Sequence, residues 1–272
     1  MVKSGRRRWI RRSIVAAVVV VAALVAVKVS IQWRDRSDEV NIDDLAASFD
    51  PKAEAQSGSS TLAVGVWSSN ATGNEFIDIL GGPLHTFPDV VAQTVSNTSC
   101  GQNITVHLFE QRYDSIDLCH DDKGQLVLER FATRHEFVGV ADLTTTEQCE
   151  PFRVWWPSIA KDVGHRSSVT CTAKSDMSGV VPATVYYEVV AIEDVEVAGR
   201  AVEAIKVRFG SNLGKPGDSS YGSYDNHLWF ALEEPVIVKR TLDANVTTTT
   251  PVGKVSFKES FELVAQSMKP RS

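Results

Sequence analysis

The chain has 272 residues, 43% of them hydrophobic and 23% charged, with 28 Lys and Arg against 34 Asp and Glu for a formal net charge of −6. Six of the basic residues precede position 13, where no acidic residue occurs, so the remainder holds 22 basic and 34 acidic residues, a net −12. A body this acidic excludes nucleic acid and an anionic membrane face as partners, because either demands a basic patch to displace counterions.

The amino terminus carries Arg6, Arg7, Arg8, Arg11 and Arg12, followed by an apolar run from Ile14 to Ile31. As an α-helix that run spans roughly 27 Å, close to the thickness of a hydrocarbon core. Lys28 falls in its last turn, where the stem can follow the apolar surface to the headgroups, and Trp9 and Trp33 bracket it as interfacial aromatics do. A cleaved signal peptide shares the basic start and apolar core, but this run ends without an A-x-A site and without a lipobox cysteine. The expectation is therefore a cytoplasmic basic tail at 1–13, a single transmembrane helix at 14–33 in the lipid bilayer of the cell membrane, and an extracytoplasmic carboxyl-terminal body. Residues 34–60 turn acidic and small, ending in Gln56-Ser57-Gly58-Ser59-Ser60, and read as a flexible acidic linker with at most a helical turn or two at Asp43 to Phe49.

From 61 to 270 the period is two. Ile104, Val106 and Leu108 alternate with Thr105 and His107, and Ile205, Val207 and Phe209 alternate with Lys206 and Arg208. Val255, Phe257, Phe261 and Leu263 alternate with Lys254, Ser256, Lys258, Ser260 and Glu262. Such segments are strands with one wet face. Val185, Tyr187 and Val189 form another, and Val195-Glu196-Val197 leads through an Ala198-Gly199-Arg200 turn into the next. Lys215 to Ser223 is polar and irregular and reads as a mobile hairpin loop. No stretch after Ser60 sustains a helical period, so the fold class is all-β, antiparallel, as a curved sheet, half-barrel or sandwich in one domain of about 210 residues.

The four cysteines, Cys100, Cys119, Cys149 and Cys171, all follow the apolar run. An even count in an oxidising compartment reads as disulfides; of three connectivities, Cys100 with Cys119 and Cys149 with Cys171 close the short local loops. None of the cysteines has C-x-x-C spacing, which argues against zinc and leaves no metal or cofactor to expect.

Catalytic signatures are missing. His85, His107, His120, His135, His165 and His227 form no recognisable constellation, and His135-Glu136 has no second histidine at the zinc-protease position. There is no G-x-S-x-G elbow, and Gly81-Gly82-Pro83 lacks a following Lys-Ser/Thr. No catalytic residue is assigned, and the chain reads as a non-enzyme. Trp67, Tyr186, Tyr187, Trp155-Trp156 and Trp229-Phe230 are the aromatic features. Adjacent rings in a strand face opposite ways, so one of each pair leaves the core, either covered by a loop or lining an apolar cleft. Trp155, Trp156 and Trp229 are the candidate ligand contacts. The functional expectation is a binding or interaction module of the cell envelope for an apolar ligand such as a lipid, or for an envelope protein. A structural envelope protein, or a hydrolase with a dispersed site, are the alternatives.

Gly81-Gly82-Pro83-Leu84-His85-Thr86-Phe87-Pro88, Cys100-Gly101, Glu110-Gln111-Arg112-Tyr113-Asp114 leading to Leu118-Cys119, and His135-Glu136-Phe137 together resemble a family of actinobacterial single-pass membrane proteins. Its members have a basic amino terminus, one transmembrane helix and an exported β-rich domain of unknown function. The half from Val195 to Pro270 resembles domains related to envelope lipoprotein half-barrels. The resemblance implies the same topology and fold, and no activity.

Overall fold

The computed structural model describes residues 37–49, 62–78, 84–121, 126–137, 141–153, 162–176, 178–250 and 253–271, with isolated positions 26, 29 and 82. The span expected at 14–33 lies outside the described residues except for Ala26 and Val29. Among the described residues no helix is long and apolar enough to cross a membrane.

Among the described residues a short helix, α1 (Ile42–Ser48), precedes thirteen strands. They are β1 (Gly65–Ile77), β2 (Leu84–Thr86), β3 (Val90–Asn97), β4 (Gly101–Phe109), β5 (Arg112–His120), β6 (Leu126–Phe137), β7 (Ala141–Arg153), β8 (Arg166–Ser175), β9 (Gly179–Val197), β10 (Arg200–Leu213), β11 (Ser220–Ala231), β12 (Ile237–Thr250) and β13 (Gly253–Ala265). All belong to one antiparallel sheet that runs as a meander from β3 to β13. The first half of β1 pairs with β3, while Ser69–Ile77 pairs with β13, from Ser69 opposite Ala265 to Ile77 opposite Phe257. The sheet therefore closes. Of the architectures expected from the sequence, the curved sheet is realised and the sandwich is not; the curvature continues past a half-barrel to a ring of β1 and β3–β13, with β2 on the flank of β1.

Closure requires a close approach at the seam. Gly73, at φ +133°, lies opposite Phe261, and a Cβ there would sit 2.1 Å from the Ser260 carbonyl oxygen and 2.7 Å from the Phe261 Cα. Only glycine fits. The β9–β10 hairpin turns on Ala198 (φ 51°) and Gly199 (φ 76°), both left-handed, as the two-residue turn that follows strand twist requires. The strand read at Val185 to Val189 and that at Val195 to Val197 are one continuous β9.

Strand alternation sends Val255, Phe261 and Leu263 of β13 inward and leaves Lys254, Lys258 and Glu262 exposed. This is the reverse of a barrel that crosses a membrane, whose lipid-facing side is apolar. The main interior cluster includes Trp67, Ile104, Ile116, Leu128, Val185, Tyr187, Ile205, Leu228 and Phe230. A second includes Phe87, Val91, Val106, Leu108, Phe109, Leu242, Phe261 and Leu263. Leu62 enters the interior and exchanges two hydrogen bonds with the Gln102 side chain, N to Oε1 at 2.8 Å and Nε2 to the Leu62 carbonyl at 2.9 Å, so an amide stands in for a missing strand.

Both expected disulfides are present. Cys149 and Cys171 are directly opposite on β7 and β8, and Cys100 joins Cys119 across β4 and β5. The loop expected from Lys215 to Ser223 is shorter than that, because β11 begins at Ser220, where Ser220 Oγ hydrogen bonds Thr248 Oγ1 at 2.8 Å and Gly222 pairs with Val246. Polar strand ends of this kind defeat a reading based on hydrophobicity.

Within the acidic segment, residues 37–49 are held against the barrel. Asn41 caps α1 by accepting from the Asp43 and Asp44 amides. Asp38 accepts from Gln111 Nε2 at 2.9 Å and its own amide donates to Gln111 Oε1 at 3.0 Å, while Asp43 pairs with Arg271. The carboxyl terminus lies alongside, its Arg271 amide donating to the Val66 carbonyl at 2.7 Å.

Candidate ligand-binding site

A ring of this many strands is wider than its own side chains fill. Among the described residues the interior holds adjoining compartments, three of which share Tyr224 and Thr145 as walls. Their volumes are about 50, 90 and 30 Å³. The first is faced by Phe131, Phe209 and Leu242 together with Glu147, Ser211 and Arg240. Toward the end marked by Ile77 and Phe257 the second is lined by Leu143, Val255 and Arg112.

The polar groups are inside because of parity. Arg112 and Asp114 share the inward face of β5 with Ile116 and Leu118; Glu259 stands between Phe257 and Phe261 on β13; Arg240 stands between Val238 and Leu242 on β12. Glu75 of β1 lies directly opposite Glu259, and Arg112 of β5 lies opposite His135 of β6.

Arg112 crosses the interior. Its Nε donates to Glu75 Oε2 at 3.0 Å, Nη1 to Asp114 Oδ1 at 2.7 Å and Nη2 to Glu259 Oε2 at 2.7 Å, with Nη1 also reaching the Tyr113 carbonyl at 2.9 Å. The side chain is 1% exposed and its charge is held by those three carboxylates against the cost of burial. This guanidinium ties β5 to β1 and β13. Arg240 Nε donates to Asn226 Oδ1 at 3.1 Å, and its Cζ lies 5.4 Å from the Phe261 ring centre.

Burial acts unequally on the acids. Burial would raise Glu75, but the hydrogen bond from His135 and the charge of Arg112 bring its carboxyl below the ordinary value. Glu259 is raised well above it by burial and by Asp114 and Glu75, which outweigh Arg112. Glu147 is pushed up to about 7 by burial, with only the Ser211 hydroxyl working against the shift. Glu147 Oε2 and Arg240 Nη1 are buried without a hydrogen-bond partner on residues that face the first compartment, while the Ser211 hydroxyl lies beside the Glu147 carboxyl and Asp114 Oδ2 is 4.0 Å from Arg240 Nη2. Buried polar atoms left unpaired are costly, which makes this hollow the candidate site.

Of the three tryptophans expected to touch a ligand, Trp155 and Trp156 lie outside the described residues. Trp229 does not line the hollow. It projects from the opposite face to Leu228 and Phe230, with the Lys206 and Lys239 ammoniums 4.7 and 5.2 Å from its ring and Nε1 donating to Glu193 Oε1 at 2.5 Å. Among the described residues, two lysine ammoniums flank this second ring. Trp67, Tyr187 and Phe230 are in the closed part of the core. Among the histidines, His107 is depressed to about 4 by burial, and His135 Nδ1 lies 3.5 Å from Glu75 Oε1. Among the described residues no three His, Cys, Asp or Glu side chains are grouped to hold a metal ion.

No protein-family model matches the chain, and no curated protein does. A solved structure that matches is the hypothetical lipoprotein YmcC from Escherichia coli, 9% identical, covering 87% of this chain and 100% of that one, at a TM-score of 0.31.

Proposed function

We propose that the chain is a membrane-anchored binding module of the cell envelope: the bilayer holds residues 14–33, and the interior of the extracytoplasmic barrel takes a small, largely apolar molecule. The observation that carries this reading is the hollow itself, walled by Tyr224, Phe131, Phe209 and Leu242. Concave, mostly apolar sites with a few convergent polar groups are the usual form of small-ligand pockets. The basic flank and apolar run support the anchor and its orientation. The role is recognition, without bond-making chemistry.

Native mass spectrometry of the full chain, extracted from its own membranes in mild detergent, tests the reading. A bound mass is expected on the wild type and is expected to be lost from Ser211→Phe, which fills the first compartment from β10. An adduct that survives in the filled variant, or no adduct on either protein, overturns it.

A further inference from the structure

Resting on that reading, we propose that the ligand carries a protonated amine on its apolar body, with the ammonium seated against Glu147 Oε2 and Ser211 Oγ in the first compartment. Glu147 Oε2 is buried without a partner and faces the hollow from β7, with the Ser211 hydroxyl of β10 beside its carboxyl. Glu147 is 4% exposed. A carboxylate oxygen can only accept a hydrogen bond, so the group missing at Oε2 is a donor.

Charge points the same way. The groups facing the hollow and its brace are the carboxylates Glu147 on β7, Asp114 on β5, Glu75 on β1 and Glu259 on β13, against the guanidiniums Arg112 on β5 and Arg240 on β12. With every acid ionised the interior carries two negative charges more than positive ones. Both guanidiniums already hold partners in the brace, Arg112 on three carboxylates and Arg240 on Asn226. Glu147 has neither guanidinium as a partner, and Phe131, Phe209 and Tyr224 line the same compartment. In the empty protein burial raises its carboxyl to about 7. An ammonium neutralises the ionised carboxylate while also satisfying the orphaned oxygen.

Benzylamine is a suitable probe, with benzyl alcohol as its neutral counterpart, titrated calorimetrically into the full chain in detergent at pH 8. The amine is expected to bind at least tenfold more tightly than the alcohol, and Glu147→Gln is expected to abolish that difference. On the wild type alone, amine binding at pH 7 should release a fraction of a proton, read from buffers of different ionisation enthalpy, and the release should be smaller at pH 8, where Glu147 is already largely ionised and the amine is still largely protonated. Equal binding of the two probes, or an amine preference that persists in Glu147→Gln, overturns the assignment of an amine and leaves the hollow as a site. Failure of both probes to bind overturns the hollow as well.

Discussion

Removing the guanidinium of Arg112 is the most demanding test of the buried brace. Arg112→Met keeps most of the stem and its contact near Phe257, whose ring centre is 5.5 Å from Cζ, but leaves Glu75, Asp114 and Glu259 without their shared cation. Breaking a buried ion pair from one side costs about 3–5 kcal/mol. Here three carboxylates lose one partner, and they limit the damage by taking up protons at about 1.4 kcal/mol for each unit by which their pKa must rise. A net loss of about 4 kcal/mol near pH 8 follows, and at about 2–4 °C per kcal/mol in a domain of this size the melting temperature falls by roughly 10 °C. The sign with pH is fixed by linkage: carboxyls whose folded-state pKa has risen favour the folded state below their ordinary value of 4.5, and that advantage is lost as pH climbs through the raised value. The variant should therefore sit closer to the wild type at pH 5 than at pH 8. Thermal melts of the full chain followed by circular dichroism at both pH values read this directly. A variant melting within about 2 °C of wild type at pH 8 would refute the idea that Arg112 holds the interior together.

Other perturbations have equally definite directions. Glu147→Gln removes the carboxyl raised from 4.5 to about 7, so the variant and wild type should match at pH 4 while the variant gains about 3 kcal/mol at pH 8, measured from denaturation midpoints. Ala198→Asn relieves a left-handed alanine in the β9–β10 turn and should raise the denaturation midpoint by the equivalent of about 0.5–1 kcal/mol, with an unchanged slope. Replacing Cys149 and Cys171 together by serine opens a loop closed at a separation of 22 residues, for an expected loss of about 3 kcal/mol by chemical denaturation under oxidising conditions.

Alternation made β4, β10 and β13 legible, and the Ala198-Gly199 turn and both cysteine pairings followed from local spacing. Closure was not legible, because an edge strand and a seam strand show the same period; it depends on Gly73 meeting Phe261, partners far apart in the chain. The polar interior was missed for a related reason. Alternation was counted by apolar residues, so Glu259 was passed over between Phe257 and Phe261, and Arg240 between Val238 and Leu242, although each occupies an inward position. A charge at the dry parity of a strand is the signal that finds such a site. What it cannot supply is the partner: Arg112 and Glu259 are 147 positions apart. Trp229, by contrast, lies on the far face of the sheet with two lysine ammoniums beside its ring.

With the proposed anchor, the docking of Asp38 beside Gln111 would also set a distance from the bilayer. An anchor ending at Trp33 leaves four residues before Asp38, a leash of less than about 20 Å even when taut. Gln111 sits in the β4–β5 turn, at the barrel end where Ile77, Leu143 and Phe257 surround the second compartment. A barrel so moored would hang with that mouth toward the headgroups, and an oily guest could move between membrane and protein without a long passage through water.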